Sequence, residues 1–121
     1  MPGRDFSLPK EARLRKRPQY LAVQGGAQRR RSRHFVLLWR ANGLQTSRLG
    51  VTVTKRVAGA VGRNRVKRRV REAFRQSRTG LPPGLDLVVV AASGAPELSF
   101  SQVRQELWEL WKHLSAPARS A

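Results

Sequence analysis

Apolar positions change their spacing along the chain, and each spacing predicts a different element. In "VGRNRVKRRVREAF", residues 61–74, Val66, Val70 and Phe74 stand four apart. At about 100° per residue these three and Ala73 fall on one stripe. The pattern predicts a helix from about 59 or 63 to 77, ended by the Gly and two Pro of "TGLPPG". Phe100, Val103, Leu107, Leu110, Trp111 and Leu114 repeat the same period. Ser99 and Gln102 stand before them at capping-box spacing, with Leu98 and Val103 as a hydrophobic staple. A second helix over these residues is expected to lay its apolar stripe on a sheet.

Elsewhere the period drops to two. Leu49, Val51 and Val53 alternate with Gly50, Thr52 and Thr54, the signature of a half-buried strand. The aromatic and aliphatic density of "HFVLLWRA", residues 34–41, predicts another, and "NGLQTS" between them supplies turn residues, so a hairpin is expected over about 33–54. "LDLVVVAA", residues 85–92, is a nearly continuous β-branched run and fits a central strand. Pro18 is tolerated in a first helical turn, and Tyr20, Leu21 and Val23 follow before Gly25 and Gly26, giving a short helix of about 17–25. Residues 1–16 are expected to form an arm, 17–114 one domain and 115–121 a tail. The order helix, hairpin, helix, strand, helix predicts an α+β sandwich with helices packed on a small sheet.

Charge adds a partner to this picture. The 121 residues carry a net charge of +18, with 25 Lys and Arg against 7 acids. Residues 1–80 hold 22 of the cations and 3 of the acids, whereas 81–121 are close to neutral. Self-repulsion on that scale calls for a polyanion. Arg outnumbers Lys 20 to 5, which favours forked recognition of phosphate and stacking on bases, although a GC-rich coding sequence would produce the same bias. With no Cys, disulfides and thiolate-bound zinc are excluded. No run approaches the roughly 20 apolar residues of a membrane span. The basic N-terminal segment is not followed by an apolar stretch, so a cytoplasmic setting is expected.

The charge is also sorted by angle. With the apolar stripe of residues 61–74 turned inward, Asn64, Arg68, Arg71 and Arg75 lie on the opposite side, flanked by Lys67 on one hand and by Arg65 and Arg69 on the other. Like charges three and four apart cost a few tenths of a kcal/mol each in a free helix, roughly, and only Glu72 offers local relief. Such a face suits phosphates, whose binding releases counterions and makes affinity fall with salt. The Asn64 amide could meet a base edge, orient a neighbouring Arg or cap the helix.

Groups for protein-only catalysis are missing from this pattern. The two Asp, five Glu and two His are scattered, with His34 opening a strand, His113 near the end of the last helix and Asp86 before an apolar run. No acid cluster suits two Mg²⁺ ions. "VAGAVGRNR" lacks the GK[ST] of a phosphate loop. If the chain serves a reaction, the catalyst lies elsewhere.

Residues 48–74, "RLGVTVTKRVAGAVGRNRVKRRVREAF", resemble the signature of the bacterial ribonuclease P protein subunit: a strand with RLG and T-K-R elements, a short Gly- and Ala-containing link, then an R-N-R-x-K-R helix. The resemblance extends over about 10–114, through "ARLRKRPQYLAV" and "LPPGLDLVVVAASGAPELSF". It implies a two-layer α/β sandwich like that of a ribosomal protein domain, with a small, mostly antiparallel sheet and a left-handed βαβ crossover. It also implies a partner rather than an active site. In that family a large RNA, with Mg²⁺, removes the 5′ leader of precursor tRNA, and the protein binds the RNA and the leader. By the resemblance, Arg63, Asn64, Arg65, Lys67, Arg68 and Arg71 match the family's basic helix, while Arg48, Lys55 and Arg56 match the strand and link beside it. Tyr20 matches an aromatic of the leader cleft, with core packing as the alternative role, and Phe35 lies on the strand expected to line it, where a place in the core is the first expectation. One turn after Tyr20, where many relatives carry a second aromatic, this chain has Gln24. No cofactor site, membrane or DNA is implied. A non-catalytic RNA-binding module, such as a ribosomal protein of similar fold, would share the charge and the basic helix.

Overall fold

A computed structural model describes residues 9–26 and 28–114. Three helices, α1 (Arg17–Gly26), α2 (Ala60–Ser77) and α3 (Phe100–Trp111), accompany four strands, β1 (Gln28–Arg31), β2 (Phe35–Ala41), β3 (Arg48–Thr52) and β4 (Leu85–Ala91). The sheet runs β1-β2-β4-β3. Its β1–β2 and β2–β4 pairs are antiparallel and its β3–β4 pair is parallel, so the fold is α+β with a mostly antiparallel sheet. β3, α2 and β4 form a βαβ unit whose two strands are neighbours.

The hairpin expected over 33–54 is not formed, because β4 lies between β2 and β3. β4 is the strand able to do this: it is buried along nearly its whole length, so it can pair on both edges and pack on both faces. The Asn42–Ser47 segment, with Gly43 at φ 74°, spans a strand's width instead of turning tightly. The hairpin lies one strand earlier, between β1 and β2. β1 is the basic run Gln28–Arg31, wholly exposed, so only its pairing with β2 makes it a strand. An edge strand of exposed Arg also discourages pairing with another chain.

Parity along the strands divides the sheet into two faces. Phe35, Leu37 and Trp39 of β2, Leu49 and Val51 of β3 and Leu85, Leu87 and Val89 of β4 join the main core. This core is closed by Val66, Val70, Ala73 and Phe74 of α2, the stripe expected from the sequence, and by Val103, Leu107, Leu110 and Trp111 of α3. The α3 capping box is formed as expected, with the Ser99 side chain accepting from the Gln102 amide and Gln102 from Ser99. On the reverse face, Leu38 and Val88 pack with Leu14 and with Val23 of α1.

Of the arm expected over 1–16, residues 9–16 are described, and several of them contact the sheet. A 3-10 turn, Lys10–Ala12, brings Ala12 into the main core, and the Leu14 amide donates to the Leu49 carbonyl at 2.9 Å along the outer edge of β3. The expected arm residues 1–8 and the tail 115–121 lie outside the described residues.

Candidate nucleic-acid interface

Because the apolar stripe of α2 is buried against the sheet, its charged residues are held at fixed positions around the outside. Asn64 and Arg68 are exposed, and Arg63, Arg65, Lys67 and Arg71 are half-buried along its sides. The helix begins at Ala60 with Gly59 as N-cap, so Asn64 stands inside the helix and does not cap it. Several Arg are anchored. Arg63 donates to the Ala58 carbonyl at 2.9 Å, fastening the β3–α2 link. Arg69 donates to the Leu98 carbonyl. Arg75 forms a fork on Glu72 at 2.9 and 2.6 Å, which holds the Glu72 carboxyl below its ordinary range. Lys55 and Arg56 are exposed in the turn after β3.

Tyr20 lies on the reverse face. Its hydroxyl donates to the Leu14 carbonyl at 3.2 Å, and its ring covers Gly50. A Cβ at position 50 would come 2.6 Å from the ring, so this glycine makes room for the aromatic. Gln19 steadies the start of α1 by accepting from the Arg15 and Lys16 amides at 2.7 and 2.9 Å, and Arg40 reaches from β2 to the Ala22 carbonyl at 2.8 Å. Beside Tyr20, Val36 and Val90 are partly open on the sheet surface. Register places Arg31 opposite Val36 and Arg29 opposite Leu38, and cross-strand partners share a face, so two Arg border this apolar floor.

The two surfaces lie on opposite faces of the sheet, with β3 as the edge strand. Arg71 of α2 lies within electrostatic reach of Tyr20 and Arg13. Burial lowers the Arg71 guanidinium from its ordinary pKa; Tyr20 opposes that shift and the like charge of Arg13 adds to it.

Two residues expected at the interface are placed differently. Phe35 is fully buried in the main core, on the face opposite Tyr20, and offers no surface to a base. The β2 residues on the Tyr20 side are Val36 and Leu38, one position out of phase. Arg48 does share that face, but its guanidinium is committed: Nε and Nη2 donate to the buried Asp86 carboxylate at 2.8 and 2.7 Å, and this fork raises the Arg48 pKa. Asn42 donates to the same carboxylate at 2.8 Å. Conversely, Arg13, Arg29 and Arg31 reach the interface without having been singled out. Their signal was the parity of "QRRR" against β2, which becomes legible only once that hairpin is recognised.

Among the described residues no group of three or more His, Asp and Glu is placed to hold a metal ion. The arrangement can bind and orient an anion or a stacked base. Fold and surface thus define a small α+β protein that displays an arginine-rich helix beside an open sheet face.

A family profile described as Ribonuclease P matches residues 8–115. The chain is 45% identical over 102 residues to the ribonuclease P protein component of Syntrophobacter fumaroxidans, covering 84% of this chain and 86% of that protein. It is 44% identical over 116 residues to that of Aliivibrio fischeri, covering 95% and 98%. The RNase P protein of Thermotoga maritima, solved in complex with 1-(4-fluorophenyl)-2-thiourea, superposes with a TM-score of 0.80 at 36% identity, covering 85% of this chain and all of that one. The chain belongs to the ribonuclease P protein component family.

Proposed function

We propose that this chain is the protein subunit of a ribonuclease P whose catalyst is RNA. It binds that RNA through the exposed side of α2 and the single-stranded 5′ leader of precursor tRNA over the Tyr20 face, assisting removal of the leader. The observation that carries this reading is that one small fold presents the basic side of α2 and, on the other face of its sheet, Tyr20 over an apolar floor bordered by Arg29 and Arg31, so that one protein can hold two RNA segments. Forked guanidinium groups suit phosphates, and stacking on an aromatic tolerates a leader of varying sequence. With a single aromatic in α1 and an exposed Gln24 one turn later, leader binding leans on Arg29, Arg31 and the apolar floor as well as on Tyr20. Mg²⁺ acts through the RNA, the setting is the cytoplasm, and neither DNA nor a membrane is a partner.

Reconstitution tests this. Added to a ribonuclease P RNA at low Mg²⁺, the chain is expected to stimulate 5′ cleavage of precursor tRNA and to do nothing without the RNA. Absence of stimulation with a cognate RNA, or cleavage by the protein alone, overturns the reading.

A further inference from the structure

Residues 81–121 are nearly neutral and contain three cations, Arg104, Lys112 and Arg119. Arg104 and Lys112 line the same groove, a space of about 740 Å³ between the end of α2 and the outer side of α3. Trp108, Trp111, Leu81 and Gln76 are among its other walls, and none of its lining residues is acidic. That volume is of the size that takes small organic ligands.

Trp108 is 53% exposed, whereas Trp39 and Trp111 are each 5% exposed. An open indole is costly to leave in water, and this one is held in place: its Nε1 donates to Ser77 Oγ at 3.2 Å, bridging α3 to the last residue of α2. Gln76 accepts from Arg104 at 3.3 Å, so the guanidinium is kept at the groove. Lys112 is held only loosely by Glu109, at 3.4 Å to each oxygen, and both side chains are mostly exposed, so a phosphate can draw the ammonium away. The groove belongs to the α2–α3 layer, and the sheet separates it from Tyr20. It opens where α2 ends, about 16 Å along the axis from Arg65.

We infer that this groove is a third RNA-binding site, a pocket for an unpaired nucleotide whose base lies on Trp108 and whose phosphate is held by Arg104 and Lys112. The inference rests on the RNA-binding reading of α2, but the pocket is separate from the surfaces used there. A flat π face with two cations and side-chain amides is the chemistry that accepts a nucleotide without demanding one base. Its place at the end of α2 lets an RNA strand that follows the helix deliver a nucleotide into it.

The test uses Trp108 as its own reporter. The full chain is titrated with a short single-stranded oligoadenylate, following tryptophan fluorescence for the groove and anisotropy of a labelled oligonucleotide for total binding. Quenching is expected. It should vanish in Trp108→Phe, shift to about fivefold or more higher concentration in Arg104→Gln/Lys112→Gln, and persist in Tyr20→Ala and in Arg65→Ala/Arg68→Ala. The Arg104, Trp108 and Lys112 side chains are exposed, and circular dichroism checks that the fold is kept. Three results overturn the inference: no quenching while anisotropy still reports binding, quenching that disappears with Tyr20→Ala, or quenching by a Glu- and Phe-containing peptide but not by the oligonucleotide. Loss of all binding by anisotropy instead removes the RNA-binding reading itself.

Discussion

The ring of Tyr20 rests on Gly50, with no room for a side chain at position 50: a Cβ there would come 2.6 Å from Cε2 and Cζ and 2.8 Å from the hydroxyl. The close approach ties α1 to β3 and fixes how the aromatic is presented. Gly50→Ala must therefore push the ring off the sheet. Overpacking of this kind costs about 1–2 kcal/mol. Precursor tRNA binding is expected to weaken while mature tRNA binding holds, as in Tyr20→Ala. The double variant Tyr20→Ala/Gly50→Ala should regain part of the stability, which denaturant titration of the three variants will show. Equal loss of precursor and mature tRNA binding would point to a folding role for Tyr20 instead.

Arg65 and Arg68 hold phosphates if α2 docks on RNA. Changing both to Ala is expected to weaken holoenzyme assembly and to flatten the dependence of log K on log salt by roughly 0.7–0.9 for each phosphate no longer neutralised. Binding isotherms at several salt concentrations give the slope directly. An unchanged slope with weaker binding counts against the phosphate role.

Arg48 should behave unlike Arg68, although both carry the same charge. Arg48 neutralises Asp86, whose side chain is 8% exposed, and removing it leaves a buried carboxylate with Asn42 as its remaining side-chain hydrogen-bond partner among the described residues. Arg48→Ala is expected to cost roughly 3 kcal/mol in urea unfolding. Arg68→Ala, on the exposed side of α2, should stay within about 0.5 kcal/mol.

Glu106 joins α3 to the β1–β2 hairpin, accepting from Ser32 Oγ, from the His34 amide at 2.6 Å and pairing with His34 Nδ1 at 2.8 Å. Burial alone would raise its pKa, but these hydrogen bonds outweigh it and leave the carboxyl below its ordinary value. A depressed folded-state pKa stabilises the fold above the unfolded value of about 4.3. That contribution drains away as pH falls through the depressed value. Stability measured from pH 6 down to roughly pH 3 should therefore decline below about pH 4.3. Glu106→Gln should be less stable at neutral pH by about 1–2 kcal/mol and show a shallower acid limb, converging with the parent chain at low pH.

The sequence alone determined whatever depends on neighbours along the chain. The stripe of Val66, Val70, Ala73 and Phe74 is buried as its angles require, and the Ser99–Gln102 box starts α3 where the pattern places it. The charge imbalance that calls for a polyanion is likewise a property of composition. The tertiary structure decided what depends on register. Strand periodicity says that alternate residues share a face, but which face, and which strand pairs with which, is set by packing between residues far apart in sequence. β4 could take the place between β2 and β3 because it is apolar on both faces, and that choice turned the expected hairpin into a βαβ unit. The same pairing sent Phe35 into the core, gave Arg48 to Asp86 and drew the Arg of β1 beside Tyr20. Local spacing fixed the basic helix as a surface; only the order of the strands decided which residues stand next to it.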